Sequence, residues 1–419
     1  MMKRLVKLLI IIFLAGVITV SSFGAGMLFY ARVYGPALAP SSTTALSLPA
    51  AMEGSGQSEL TAEDIPPEFT TFWEAWSFLN EEFYGEIPPD NERVYGAIRG
   101  MVASFGDQHT GFIDPIRAAV FTENMSGSFE GIGATIRLDE FGRLMIVDPM
   151  PDRPAFKAGL RPGDIIIEVD GQPVEGLSLY EDVLLIRGPA GSAVVLTVFR
   201  EGELEPFEVS VVRAKIEIEV VEAELLDRPG HIGYVQLTEF SQGASDKVAE
   251  AIEALVDQGA TAIIFDLRSN PGGLLSEAVD VSALFLKEGT VVIEKLKGGE
   301  ERRLGVDGGR HVALDIPLVV LINVGSASAS EIVAGAIQDY DRGTIMGQQT
   351  FGKGSVQLPH QLSDGSELRV TVAEWLTPSG RQIHGEGIAP DIVVEMTFED
   401  LEQGLDPQLD AAVEFLRKQ

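Results

Sequence analysis

The chain has 419 residues, enough for about two or three domains of roughly 150 residues each and for a sizeable core. Hydrophobic residues at 45% and charged ones at 22% exclude bulk disorder, and 31 basic against 63 acidic residues give a net charge of −32 that disfavours nucleic acid as a partner. With no cysteine, disulfides, thiol catalysis, iron–sulfur ligation and cysteine zinc sites are excluded together, and the redox compartment stays open.

The first predicted element is a membrane span. Leu8 to Tyr30 carries no charged residue, and a helix rising about 1.5 Å per residue over that length matches a bilayer core of roughly 30 Å. Lys3, Arg4 and Lys7 precede it and every acidic residue lies at or beyond Glu53, so the positive-inside tendency leaves the start in the cytoplasm and the bulk outside. A cleaved signal peptide is the alternative, because small residues cluster at Ser21, Ser22, Gly24 and Ala25. Either way residues 1–35 place the working part outside the cytoplasm. Residues 36–65, rich in Ala, Ser, Thr, Pro and Gly, form a flexible linker. Phe69, Phe72, Trp73, Trp76, Leu79 and Phe83 then trace an apolar helical stripe, and Ala97, Ile98, Met101, Val102 and Phe105 a second. They define a small helical domain over 66–126, with a homodimer contact as one use of its aromatic face.

Between residues 127 and 214 the pattern changes to short alternating strands: Gly133 to Leu138, Leu144 to Val147, Ile165 to Val169, Val194 to Phe199 and Phe207 to Val212. Ser178 and Glu181 make a capping box for one short helix, and Asp170 with Gly171 marks a turn. Taken alone, the run Gly131, Ile132, Gly133, Ala134 reads more readily as a structural hairpin. Together with Ala158 to Asp164 and Val169 to Gly171, it resembles a PDZ domain. That resemblance implies backbone N–H groups offered to a ligand's terminal carboxylate and a peptide added as a strand beside the helix. Arg187, ending the helix, either pairs with an acidic partner, senses a bound tail, or is simply solvated.

Beyond residue 215 helices alternate with buried strands: strand Ile232 to Leu237, helix Ser245 to Val256, strand Ala262 to Leu267, helix Leu275 to Phe285, strand Leu318 to Ile322 and helix Ser330 to Tyr340. This is an α/β core with parallel segments, whose sites form where strands end and helices begin. Three such places stand out. The run Asp266 to Gly273 ends in a Gly-Gly pair, either a plain turn or an anion cradle. Gly325 to Glu331 opens a helix, and Ser328 there is either an N-cap completed by Glu331 or a nucleophile in the helix N-terminal field. Gly347 to Gly354 spells a Walker-type loop as far as Lys353, but Gly354 replaces the magnesium-binding Ser or Thr and the sequence beyond looks extended. If Lys353, Ser355 and Gln357 share one strand, their side chains share a face. A lysine base must be neutral, and burial by Phe351 and Val356 would lower its pKa; otherwise Lys353 is a surface charge.

Together the runs Asp266 to Gly273, Ser326 to Ile332 and Thr350 to Gln357 resemble the carboxyl-terminal processing peptidases, a serine-peptidase family with an inserted PDZ domain. Gly387 to Asp391 and Gly100, Met101 and Asp107 fit as well, so the resemblance covers about Pro66 to Glu395. Gln108 and Ser269 depart from the family's usual Pro and Asn. The resemblance implies a crotonase-like α/β core over 215–395, followed by a C-terminal helical extension over 396–419. It also implies Ser328 as nucleophile, Lys353, 25 residues downstream, as general base, and Gln357 as the residue orienting that lysine. Backbone N–H groups of Gly272, Gly273 and Ala329 are the implied oxyanion donors, and Gly131, Ile132, Gly133, Ala134 and Arg187 the peptide-binding residues. No metal or cofactor is implied, and His109, His231, His311, His360 and His384 show no zinc spacing. The expected protein is thus a multidomain α/β serine endopeptidase, tethered outside the cytoplasm by a transmembrane helix and acting on proteins with unstructured C-termini. A catalytically silent tail-binding adaptor and a nucleotide hydrolase are the competing readings.

Overall fold

The computed structural model describes residues 66–228, 230–306 and 308–419. The predicted membrane span and linker lie outside the described residues, among which no helix is long and apolar enough to cross a membrane. The described chain forms two units, one ending at Ile98 and the other spanning Arg99–Gln419.

In the first unit, helix α1 (Phe69–Glu82) follows the aromatic stripe, yet none of its residues is buried. Phe72 packs edge-on against Trp73 at 5.1 Å, and the Arg93 guanidinium lies 4.2 Å from the Trp76 ring centroid. Helix α2 (Asp90–Ala103) starts well before the stripe at Ala97, because Asp90 and Glu92 fill its first turn, where acidic side chains suit the exposed N–H groups.

The stretch 66–126 is not one helical domain. Strand β1 (Gly111–Ile113) pairs with a strand some 250 residues later, Gly111 opposite Arg369. Helix α3 (Pro115–Met125) belongs to the second unit too, opened by Asp114, whose carboxylate accepts the Arg117 N–H at 3.1 Å.

The β-rich module contains β2 (Ser128–Gly131), β3 (Ala134–Leu138), β4 (Leu144–Pro149), α4 (Pro154–Lys157), β5 (Ile165–Val169), β6 (Gln172–Pro173), α5 (Leu179–Ile186), β7 (Ala193–Phe199), β8 (Phe207–Val212) and β9 (Ala214–Glu217). Its antiparallel sheet runs β3-β4-β5-β7-β8, with β6 on β5, while β2 pairs with β9. β3 starts after Gly133, whose φ of 70° breaks the extended backbone. Asp170 and Gly171, at φ 51° and 76°, make the predicted turn between β5 and β6. The Ser178/Glu181 capping box opens α5, Ser178 N–H donating to Glu181 at 2.7 Å. Alternation along β7 sends Val194, Leu196 and Val198 into the core.

The core comprises β10 (Val221–Leu225), β11 (Ile232–Leu237), α6 (Ala244–Asp257), β12 (Ala262–Asp266), α7 (Leu275–Phe285), β13 (Gly289–Leu296), β14 (Glu301–Val306), β15 (Leu318–Ile322), α8 (Ala329–Asp339), β16 (Thr344–Gly347), β17 (Ser355–Gln361), β18 (Glu367–Leu376), β19 (Ile392–Val393), α9 (Phe398–Glu402) and α10 (Pro407–Leu416). One sheet has the order β10-β11-β12-β15-β16-β19 and is parallel except for β10. Every residue of β12 and β15 is buried, because both sheet faces are covered; hence their unbroken apolar runs. Helices α6, α7 and α8 cover one face, and Ala412, Val413 and Leu416 of α10 cover the other. Arg268 clips α10 in place by donating to Asp266 at 2.6 Å and Asp406 at 2.8 Å. An antiparallel second sheet, β1-β18-β13-β14 with β17 on β18, was not predicted.

Asp182 on α5 is fully buried with both carboxylate oxygens unpartnered, and burial, helped by the charge of Glu181, pushes its pKa up from 3.8 to about 7. Between these values the folded state holds a proton that the unfolded chain has released, so stability falls as pH rises through that window. Asp182→Asn is expected to raise the melting temperature at pH 8 and to leave it nearly unchanged at pH 4. Equal shifts at both pH values would contradict this.

Candidate active site

The site lies where β11, β12 and β15 end, and polar side chains tie those ends together. Asn270 donates its side-chain amide to the Leu237 carbonyl at 2.8 Å and accepts the Gly272 N–H at 2.9 Å. Ser326 donates to the Leu267 carbonyl at 2.7 Å, Ser330 to the Asn270 carbonyl at 2.9 Å, and the Ala327 N–H reaches that same carbonyl at 3.0 Å. Asn323 accepts the Ser269 and Gly325 N–H groups at 2.8 and 2.9 Å. All these side chains are short, so the loops after β12 and β15 lie side by side.

Glycine is required where they touch. A Cβ at Gly272 would stand 2.7 Å from the Ser328 Cβ and 2.9 Å from the Ala329 nitrogen, and one at Gly273 would stand 2.3 Å from the Phe240 carbonyl oxygen. Gly272 is corrected as an oxyanion donor, because its N–H is spent on Asn270. Gly273 forms a parallel bridge with Phe240 that uses the Gly272 carbonyl and the Leu274 N–H, which turns the N–H of Gly273 itself the other way.

Ser328 immediately precedes α8 with φ 55° and ψ −113°, a conformation that ordinary side chains rarely adopt. It makes no side-chain cap hydrogen bond; its backbone N–H is instead taken by Glu331 Oε2 at 2.8 Å. In the sequence Glu331 shows only as half of a capping box. In the structure its fully buried carboxylate also accepts the Lys353 N–H at 2.9 Å on Oε2, and the Thr350 hydroxyl and Gly352 N–H, both at 2.6 Å, on Oε1.

Lys353 lies in the loop before β17 and not on the strand. A register shift between Val356 and Gln357 further breaks the predicted period-two face shared with Gln357. Phe351 is 63% exposed and does not bury the lysine; only Val356 is partly buried. Lys353 is nevertheless half-buried, and burial, reinforced by the Arg369 charge and opposed by Glu331, lowers its pKa below 10.5. Gln357 donates its amide to Ser355 Oγ at 2.8 Å and more weakly to Thr371 Oγ1 at 3.4 Å, which fixes the amide plane and leaves Oε1 as the atom suited to a lysine donor. The nucleotide reading fails here, since the loop after Gly347 leads into β17 where a phosphate loop would open a helix.

The loop before β1 meets the same place, although the sequence pointed only to Asp107. Asp107 accepts the His109 and Thr110 N–H groups at 3.0 Å and the Thr110 hydroxyl at 2.6 Å, and the Thr371 N–H reaches Thr110 Oγ1 at 3.0 Å. Burial raises the carboxyl pKa of Asp107, but bonds from Thr110, Thr371 and His109 outweigh it and hold the group well below the usual range. The His109 ring sits 5.7 Å from that of His384, and burial together with the Lys353 charge lowers the His109 pKa. Among the described residues no cluster of His, Asp or Glu could hold a metal ion.

In the β-rich module a cavity of about 740 Å³ is lined by Gly131, Ile132, Gly133, Ala134, Val183 and Arg187, among others. Arg187 is not solvated: it donates to Glu123 at 2.6 Å and Asn124 at 2.9 Å, and its guanidinium lies 4.4 Å from the Phe129 ring centroid. Its charge is therefore answered within the chain, with α3 as its acidic partner.

Residues 231–394 match the model of peptidase family S41, and residues 124–211 that of the PDZ domain. The chain is 39% identical over 347 residues to a carboxyl-terminal-processing protease of Synechocystis sp., covering 81% of each chain. It is 38% identical over 330 residues to the carboxy-terminal processing protease of Bacillus subtilis, covering 78% of this chain and 69% of that one. A solved photosystem II D1 C-terminal processing protease is 32% identical, covering 79% of this chain and 94% of that one, with a TM-score of 0.46. With an S41 core, a PDZ domain and relatives matched over most of its length, the chain belongs to the carboxyl-terminal processing proteases, serine-type peptidases of family S41.

Proposed function

We propose that this peptidase works outside the cytoplasm and cleaves proteins at or near unstructured C-terminal tails, with Ser328 as nucleophile and Lys353 as general base. The observation that carries this reading is the convergence of the two residues: their backbone N–H groups share one oxygen of Glu331, and the lysine is half-buried with its charged form destabilised. Neutral Lys353 takes the proton of Ser328 Oγ, and the alkoxide adds to the peptide carbonyl. The protonated lysine then gives that proton to the leaving amine. Water, deprotonated by the same lysine, releases the acyl group and restores Ser328. The N–H groups of Gly273 and Ala329 are the donors proposed for the oxyanion, with that of Gly272 withdrawn. Gln357 Oε1 is the proposed acceptor that orients the lysine, its amide nitrogen being held by Ser355.

Tail recognition is assigned to the cavity beside Gly131 to Ala134, where a terminal carboxylate meets the glycine turn and its last side chain meets Val183. The uncharged segment from Leu8 to Tyr30 supports membrane anchoring and the extracytoplasmic placement. The unburied aromatic face of α1, with Trp73 and Phe78 both 60% exposed, supports a homodimer.

A disordered polypeptide with a free C-terminus is expected to be cut, its amidated form much more slowly, and neither by Ser328→Ala. Undiminished cleavage by Ser328→Ala would refute the nucleophile. Below the Lys353 pKa, kcat should rise about tenfold per pH unit, since only the neutral amine accepts the proton. Arg369 lowers that pKa, so Arg369→Gln should move the rise to higher pH. A shift to lower pH, or a flat profile down to pH 5, would contradict a lysine base.

A further inference from the structure

The carboxylate of Glu331 does more than cap a helix. A capping glutamate needs only the N-cap N–H, here that of Ser328. Glu331 takes three further donors, all from the segment that carries the lysine: the Thr350 hydroxyl, the Gly352 N–H and the Lys353 N–H. Backbone N–H groups can only donate. The Thr350 oxygen already accepts the Ile388 N–H at 2.7 Å, and its own proton is directed to Glu331. Each carboxylate oxygen thus receives two donors, so a proton on either oxygen would face a donor, and the arrangement requires the ionised form. Burial works against ionisation and raises the pKa, whereas the hydrogen bonds from Thr350, Gly352, Ser328 and Lys353 favour the charge.

We infer that Glu331 is the positioning residue of the catalytic pair, its ionised carboxylate holding the Ser328 backbone and the Lys353 loop on one oxygen and setting the charge environment of the base. The inference rests on Ser328 and Lys353 being that pair. The lysine loop is confined elsewhere: a Cβ at Gly354 would stand 2.1 Å from the His384 nitrogen, and Gly352 has φ 90°. Glu331 thereby fixes the loop against the helix that Ser328 opens. Its negative charge also stabilises protonated Lys353. The other groups acting there are Arg369 on β18, whose charge opposes protonation, and His109 from the loop before β1, itself flanked by Asp107 and His384.

Glu331→Gln keeps the shape but turns an NH₂ toward donors and removes the charge. Its kcat for the free-tailed polypeptide should fall about 100-fold with KM changed less than about twofold. Its alkaline rise should move to lower pH, a shift that loosened packing alone would not give a fixed sign. The Lys353 titration, read by NMR of ¹³C-lysine in the Ser328→Ala background, should show the same acid shift even if turnover is lost. Thr350→Val removes one donor and keeps the charge; about a tenfold loss of kcat without a shifted profile is expected, and this reading stands if Glu331→Gln does not fold. Unchanged kcat in Thr350→Val, or an unmoved Lys353 titration in folded Glu331→Gln, overturns the inference. Wild-type cleavage that needs neither Ser328 nor Lys353 overturns the catalytic pair instead, so the two failures are distinguishable.

Discussion

One buried carboxylate, that of Glu331, carries four hydrogen bonds, and the backbone placement of both Ser328 and Lys353 follows from it. The constraint is strict because a buried charge is tolerated only when fully answered. Here every answering donor comes from one of two places: the residue that opens α8 and the loop between β16 and β17. Neither could drift without stranding the charge. The same logic governs the opposite wall of the site, where Asn270, Ser326 and Ser330 satisfy backbone groups of neighbouring strand ends. Glycines at 272 and 273 let those walls approach within the width of a missing methyl group.

Around this centre the molecule divides its tasks. The fully buried parallel strands β12 and β15 supply rigidity and deliver their loops to one edge. The antiparallel second sheet brings the Arg369 charge to act on the lysine and sets Thr371 opposite Gln357, and the Asp107 loop before β1 meets Thr371 through Thr110. The PDZ domain is tied to the helix before it by Arg187, which donates to Glu123 on α3. Its cavity reaches Glu239, the residue before Phe240, and Phe240 is bonded to the Gly272–Gly273 turn. The cavity and the Gly272–Gly273 turn therefore meet at two consecutive residues, Glu239 and Phe240.

Much of the core could be read directly from the sequence. A short unbroken apolar run rich in β-branched residues, such as Leu318–Ile322, suits a strand covered on both faces, and the Ser178/Glu181 pair fixed the start of α5. Asp170 and Gly171 announced their turn through residues that accept positive φ. The second sheet was hidden because β18 is mostly half-buried, with no clean alternation, and its partner β1 lies far away in sequence. Of the candidate site, motifs single out Ser328 and Lys353 as candidates, but not the partners of their N–H groups. Gly272 reads as a free donor in the sequence, but its N–H is taken by Asn270. Lys353, Ser355 and Gln357 looked collinear, yet the strand begins at Ser355 and shifts register at Gln357. Glu331 was visible as a capping residue, and its role toward the lysine loop depends on tertiary contacts that spacing alone does not encode.

The most direct test of the proposed chemistry is to trap the covalent intermediate. Wild-type enzyme mixed with a free-tailed disordered polypeptide would be quenched in acid within milliseconds to seconds, and the intact mass and the modified peptide determined. An acyl adduct on Ser328 that disappears in Lys353→Ala is the predicted result. Active cleavage with an adduct on another residue, or an adduct on Ser328 that forms equally fast without Lys353, would contradict it.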